Sequence, residues 1–275
     1  MRGFLFLFYF SCFLSGCTIE RKLYAPTQIN NPSLQAKNDY FFSGSIGTPA
    51  GADINGGFAL TGNWAIIGGL YTYKNRDKEE NYYLFSSSRD SANLTYRHKG
   101  FHIGTGFFFP LSRNKDFPLV MSFFGGNTKG SFQMNEEFYE IAPNPSISPA
   151  YNYYKSDISR WFLQGSINLY TRYIHQSLLT RFNYVGYNNV RTDYTFDQQV
   201  AFNLPPQAYP RWSSFLDFSF DTKIFFPGKQ RLGIQLFGIA TTRLNRRDFN
   251  FYIYPFRLGL GLVIKSPFTH KQADK

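Results

Sequence analysis

From Tyr40 onward, apolar and polar residues alternate with a period of two, segment after segment. In 213–226, Leu216, Phe218, Phe220, Ile224 and Phe226 share one face, and Asp217, Ser219, Asp221 and Lys223 share the other. A strand sends successive side chains to opposite sides, so this spacing predicts one apolar and one charged face. The run 249–265 repeats it. Tyr252, Tyr254, Phe256, Leu258, Leu260, Leu262 and Ile264 oppose Arg257, Gly259, Gly261 and Lys265. In 97–109, Phe101, Ile103, Phe107 and Phe109 oppose His98, Gly100, His102, Gly104 and Gly106. In 161–170, Trp161, Leu163, Ile167 and Leu169 oppose Gln164, Ser166 and Asn168.

The pattern predicts ten strands, at about 39–48, 52–61, 64–74, 92–109, 117–132, 157–170, 175–190, 211–226, 230–243 and 249–265, with eight as the alternative count. Connections after the second, fourth, sixth and eighth strands are short. Those at 75–91, 133–156 and 191–210 are long. Short turns at one end and long loops at the other are typical of an up-and-down transmembrane barrel. The expected fold is therefore all-β, a closed antiparallel transmembrane β-barrel spanning 39–268. An even strand count puts both termini on the short-turn, periplasmic side. A soluble barrel or sandwich binding a hydrophobic ligand would also alternate, but with its aromatic face inward. Glycines on the polar face favour the outward arrangement, because they make room for larger polar partners in a narrow interior. So do aromatics near strand ends: Trp161 and Trp212 at one end, and Trp64, Tyr170, Tyr173, Phe225 and Phe226 at the other. Pro255 is awkward inside a strand and suits a bulge or a position beyond the lipid.

Composition sharpens this picture. Aromatics make up 20% of the 275 residues, yet beyond residue 17 no apolar run is long enough for a membrane helix. The net charge is +11, scattered along the chain, which suits an acidic lipid surface better than nucleic acid. Residues 4–17 differ from the rest. They form a short apolar run behind Arg2, ending Leu14-Ser15-Gly16-Cys17. That is an export signal, too short to span a bilayer. Its ending resembles the lipobox of bacterial lipoproteins, which implies cleavage after residue 16, a diacylglycerol on Cys17 and acylation of the new amine. Residues 17–38 then read as an irregular, lipidated tether, and 269–275 as a periplasmic tail.

Together, the lipobox, Tyr24-Ala25-Pro26 with Asn31-Pro32, the turn Thr61-Gly62-Asn63-Trp64-Ala65 and the strand Leu258-Gly259-Leu260-Gly261-Leu262 resemble the small lipid-anchored outer-membrane β-barrels of Bacteroidetes-type bacteria. The resemblance implies an outer-membrane location, a periplasmic lipid anchor, and the barrel-assembly and lipoprotein-sorting machinery as partners. Two departures stand out. The aromatic Phe268 is followed by seven more residues. The stretch Thr18-Ile19-Glu20-Arg21-Lys22 is not the acidic run that sends some relatives to the cell surface.

For chemistry the sequence offers little. His98 and His102 share the polar face of one strand but lie about 13 Å apart, too far to hold one metal ion. A hydrolytic pair of His102 with a serine on a neighbouring strand defines the alternative of a lipid-modifying barrel enzyme. His175 is expected in a turn and His270 in the tail. Asp217, Asp221, Lys223, Arg181, Arg231 and Arg257 form an expected interior polar network with His98 and His102. Its two readings are mutual charge compensation and a permeation path. Ten strands leave little open lumen. The Tyr- and Asn-rich loops 75–91, 133–156 and 191–210 suit contact with an extracellular protein or glycan, or simply packing on each other. The resulting expectation is a non-enzymatic, filled barrel that needs no cofactor or metal and has a structural or surface-interaction role.

Overall fold

A computed structural model describes residues 19–82, 89–112, 118–141, 150–205, 211–227, 229–244 and 252–266. Its strands are β1 (Lys22–Tyr24), β2 (Tyr40–Thr48), β3 (Gly51–Ala59), β4 (Trp64–Tyr82), β5 (Arg89–Pro110), β6 (Leu119–Ile141), β7 (Ala150–Tyr170), β8 (Ile174–Thr192), β9 (Arg211–Phe226), β10 (Lys229–Arg243), β11 (Tyr252–Ile253) and β12 (Phe256–Lys265). One short helix, α1 (Phe196–Ala201), follows β8. Ten of the strands close into a single antiparallel barrel in the order β10-β12-β2-β3-β4-β5-β6-β7-β8-β9. Closure leaves no unpaired edge, as lipid requires of any spanning sheet.

The faces are inside-out. Ile46, Leu163, Leu178, Leu258 and Phe218 point outward and are exposed, whereas Asp217, Lys223, Arg181 and Arg257 are buried inside. An apolar belt of this extent is tolerable only where lipid covers it. The barrel therefore spans a membrane, and the alternative with the aromatic face turned inward is excluded. Phe101, Ile103, Phe107 and Phe109 also face outward, while His98 and His102 are buried.

Strands β4, β6 and β7 run well past their predicted hairpin ends and β5 and β8 by two or three residues, so that the five are 19–23 residues each. Crossing a bilayer takes about 10. The reason lies in the pattern. On β5 the outward positions change from Phe101 to Lys99, Arg97 and Asn93, while the inward ones become Tyr96, Leu94 and Ala92. The sheet continues from lipid into water, so its apolar face switches from outside to inside. Much of 75–91 and 133–156 is thus hairpin strand, whereas 191–210 leaves the sheet after Thr192 and carries α1. Tyr151 and Tyr153 are exposed on β7, but Tyr154 is buried and donates to the Pro205 carbonyl at 2.9 Å.

The largest departure concerns residues 19–38. They do not hang below the barrel as a tether but thread its interior, and 23–34 are buried throughout. β1 pairs in parallel with β11 at the hairpin end. Leu34 lies at the other end, in a cluster with Phe41, Ala59, Ala65, Tyr170 and Phe225 beside the short turns. The chain therefore descends from the hairpin end to enter β2 at the short-turn end. Cys17 itself, with the rest of 1–18 and the 269–275 tail, lies outside the described residues.

Several side chains also differ from expectation. Tyr170 and Phe225 point inward rather than into an outer girdle, although Trp64 and Phe226 are exposed as expected. His175 is not in a turn. It is buried on β8 between Tyr170 and Phe225, with ring centroids 4.6 and 4.7 Å away, and its Nε2 is 3.1 Å from Lys265 Nζ. Arg231 is exposed and outside the interior network. It sits where the β9–β10 register slips between Lys229 and Gly233, at the short-turn end, so its charge stays solvated. The break at Pro255 ends the predicted 249–265 strand early and turns Tyr254 inward, where it is buried.

Candidate functional site

The plugged interior is the feature that sets what this barrel can do. It is layered. Near the hairpin end, Leu23 and Tyr24 of the plug pack among Tyr96, Phe132, Tyr154, Tyr187 and Phe215. The Tyr24 ring stacks on Phe215 with centroids 4.1 Å apart. Near the short-turn end, Leu34 packs among Phe41, Phe108, Phe124 and Phe162. Between these apolar layers, Pro26 to Asn31 meet the polar wall that the alternation foretold.

An extended segment carrying Pro26 and Pro32 has no partner strand here, so its buried carbonyls need other donors. Three wall cations supply them. Arg257 Nη1 donates to the Pro26 carbonyl at 3.1 Å, Arg181 Nη2 to the Thr27 carbonyl at 2.9 Å, and Lys223 Nζ to the Asn31 carbonyl at 3.0 Å. Each cation also holds a wall carboxylate: Asp53 at 2.5 Å, Asp217 at 2.8 Å and Asp221 at 2.5 Å respectively. Asp217 further accepts from Asn183 and from Thr241, each at 2.8 Å, and Asp221 accepts from Gln235 at 2.9 Å. Charge-assisted bonds of this kind satisfy groups that would otherwise be costly to bury.

Plug side chains complete the middle layer. Gln28 Oε1 accepts from Ser45 at 2.7 Å and Asn55 at 2.8 Å. Asn30 Nδ2 donates to the carbonyls of Gly56 and Gly68 at 2.8 and 2.9 Å. Gln164 returns a bond to the Asn30 carbonyl at 2.7 Å, and Asn31 donates to Asn168 at 2.9 Å. Gly57 lets the plug pass: a Cβ there would stand 2.6 Å from Pro32 Cβ.

At the hairpin end, above the membrane, Arg21 pairs with buried Glu136 at 2.5 Å and lies 3.5 Å over the Phe202 ring beyond α1. Tyr194 OH donates to the same carboxylate. A capping box fixes α1, since Thr195 accepts from the Gln198 amide and Gln198 reaches back to the Thr195 N–H. Lys22 bridges Asp77 at 3.1 Å and Glu79 at 2.9 Å. Partial burial lowers the Lys22 pKa, but the two carboxylates outweigh it, so the ammonium titrates above its ordinary 10.5.

Of the predicted network, Asp217, Asp221, Lys223, Arg181 and Arg257 therefore converge on the plug, and Arg231 does not. His98 packs on Phe132 and Tyr73, with centroids at 4.5 and 5.4 Å. His102 meets Phe162 edge-on, and its Nε2 is 3.4 Å from Asn30 Nδ2. Among the described residues, no three side chains converge in a way that would hold a metal ion. Sequence reasoning missed the plug-side partners, Gln28, Asn30 and Asn31, and the wall carboxylate Asp53. The one available signal was 24–32 itself, which carries three amides and two prolines and no charge.

No protein-family model and no curated protein matches the chain. Three solved structures are similar to it over most of its length. The outer membrane protease OmpT from Escherichia coli is 8% identical, with a TM-score of 0.49, over 87% of this chain and 97% of that one. An outer membrane protein of Vibrio cholerae, also called OmpT, is 6% identical, with a TM-score of 0.18, over 85% and 99%. A Y282R/D307H variant of OccD1 (OprD) is 7% identical, with a TM-score of 0.17, over 86% and 97%. At these similarities the likeness carries nothing about activity.

Proposed function

We propose that this chain is an exported, lipid-anchored outer-membrane barrel, closed by its own N-terminal segment, that acts as a structural or surface-interaction protein through its tall hairpins. The supporting observation is the plug, whose carbonyls at Pro26, Thr27 and Asn31 are each held by a wall cation that is itself paired. A permeation path would leave some of those charges facing water. Here they face the plug.

In this reading the lipid sits on Cys17 and the hairpins face outward from the cell. Ile19 leaves the interior at the hairpin end, and two residues of chain reach at most about 7 Å. The chain therefore emerges on the outer side, at the level of Glu136 and Glu79, while β2 holds the plug from below. Assembly and sorting factors of the envelope are the expected partners during biogenesis. Extracellular protein or glycan is the expected partner of the hairpins, where Tyr151 and Tyr153 are exposed beside Glu137 and Asp193.

The test is conductance in a planar bilayer. The full chain should show no steady current. A variant with residues 21–35 replaced by a Gly-Ser linker should open. A steady current through the full chain would overturn the closed-barrel reading.

A further inference from the structure

The outer face of β4 to β6 carries a group of cations that the interior network leaves unused. Lys74, Arg97, Lys99 and Lys129 are all exposed and all point outward. The register brings them together. Lys74 is directly opposite Arg97. Lys99 follows Arg97 on the same face, opposite Thr72 on one side and Ser131 on the other. Lys129 is opposite Phe101, one step diagonally from Lys99. Opposed side chains in a sheet stand about 5 Å apart, and diagonal ones about 7–8 Å. Neighbouring cations at that spacing repel one another, and an anion lying among them relieves the repulsion. Among the described residues, none of the four forms an ion pair. Lys129 Nζ donates to Ser159 Oγ at 3.0 Å. Asp157, the outward carboxylate on the adjoining strand, accepts from Asn189 at 2.8 Å.

Their height supplies a second observation. Directly on the membrane side of the group lie Leu70, Phe101, Ile103 and, across β6, Trp161, all exposed. Leu70 is opposite Phe101, and the next outward pair up is Thr72 with Lys99. The cations thus climb from the edge of the apolar belt, Lys129 level with Phe101, Lys99 one outward rung above it and Lys74 with Arg97 on the next, across the height where lipid headgroups lie. We propose that Lys74, Arg97, Lys99 and Lys129 form a site for the phosphate groups of an outer-leaflet phosphoglycolipid, whose acyl chains lie against Leu70, Phe101 and Ile103. The inference rests on the hairpin end facing outward, as proposed above. Flexible lysines supply point charges, and Arg97 supplies the fork that grips phosphate oxygens in pairs.

The test uses the full chain folded in a zwitterionic detergent. Retained lipid is counted by native mass spectrometry. The probe is a bisphosphorylated acylated glucosamine disaccharide, set against the same lipid with both phosphates removed. The wild type should retain the phosphorylated form and not the other. The variant K74Q/R97Q/K99Q/K129Q should bind at least about a hundredfold more weakly, each cation near a lipid surface being worth about fivefold. A control with two cations removed at the short-turn end, R172Q/R231Q, should bind like wild type. A heat-dependent gel shift in every variant shows that the barrel is folded, and its absence in the wild type would instead sink the barrel reading itself. Equal retention by the quadruple variant, or equal retention of the dephosphorylated lipid, would overturn the site. Displacement of the lipid by millimolar inorganic phosphate would also overturn it, because the anion alone would then be the ligand.

Discussion

The guanidinium of Arg181, on the barrel wall, bonds at once to the carboxylate of Asp217 at 2.8 Å and to the backbone carbonyl of Thr27 at 2.9 Å. Wall and plug therefore share one donor. Arg181 is almost fully buried and Asp217 completely so, which means neither can be left alone cheaply. Removing one partner of such a pair typically costs about 3–5 kcal/mol, whereas replacing both with apolar groups is often close to neutral. Arg181→Ala should lower barrel stability by that amount in urea titrations in lipid vesicles, and should loosen the plug. The double replacement Arg181→Met with Asp217→Leu should recover most of the stability but not the hold on Thr27. Limited proteolysis within residues 25–32 reads that hold separately. An Arg181→Ala barrel as stable as wild type would contradict the shared-donor account.

Which way β9 faces can be tested apart from the plug. Phe218 is exposed to lipid and Asp217 is buried beside it. An arginine at Phe218 should cost about 2–4 kcal/mol near the bilayer midplane, and less toward either surface. Single cysteines at 217 and 218 should differ sharply toward a lipid-phase thiol probe, with only 218 reacting. The same comparison holds on β12, between 259 and 260.

These facing relationships are the part of the fold that was legible in the sequence. Period-two alternation with Phe218 and Leu260 on one side and Asp217 and Gly259 on the other specified strand, register and inside-out polarity together. What the alternation did not carry was the region where the environment changes along one strand. Past Leu70 and Phe101 the outward residues become Lys74 and Lys99, and the pattern loses its apolar anchor although the hydrogen-bonded ladder continues. The plug was illegible for a related reason. Residues 24–32 have no periodicity because they pair with no neighbouring strand. Their partners lie far away in sequence: Arg257 could be recognised as an interior charge but not as a clamp, and its carboxylate Asp53 was not recognised at all. Arg231 failed because local register, not parity alone, decides which way a side chain near a turn points.

Glycine placement gives a graded test of how tightly the plug fits. A Cβ at position 57 would stand 2.6 Å from Pro32 Cβ, a contact that neither rigid ring nor backbone relieves easily. Gly57→Ala should therefore push Pro32 away, destabilising the barrel by about 1–3 kcal/mol as overpacking usually does. It should also speed hydrogen exchange in 28–34. At Gly44, a Cβ would meet nothing within 4 Å. Gly44→Ala should leave exchange unchanged. If both substitutions behave alike, the passage beside Gly57 is wider than described.

The hairpin-end anchor of the plug should respond to pH with a definite sign. The Lys22 pKa is raised above 10.5 in the folded chain, with burial opposing the rise and Glu79 and Asp77 outweighing it. A basic group with a raised folded pKa contributes stability that is fully present below its unfolded pKa. That contribution is lost as pH rises through the folded value. The bridge should thus be intact from neutral pH to about 10 and weaken only above 10.5. Exchange protection of 20–25 should be flat across the first range and fall in the second. Lys22→Gln should already show the lower protection at neutral pH, with no further alkaline step from this site. A fall in wild-type protection between pH 7 and 9 would assign the anchor to some other group.

The side on which the lipid lies can be decided by labelling intact cells. Cys17→Ala should abolish incorporation of labelled palmitate, while the wild type incorporates it. With the plug threaded downward from the hairpin end, residues just after Cys17 should be reachable from outside. A protease site inserted between Thr18 and Ile19 should be cut by protease added to whole cells, before the envelope is opened. Cutting there would free the acylated cysteine and leave a barrel that still shows its heat-dependent gel shift, because the clamps at Pro26, Thr27 and Asn31 lie below the cut. If cleavage instead requires a permeabilised envelope, the plug enters from the short-turn side in the cell. The threading from Lys22 at Asp77 down to Leu34 at Tyr170 would then have to be reversed, and with it the side assigned to the anchor.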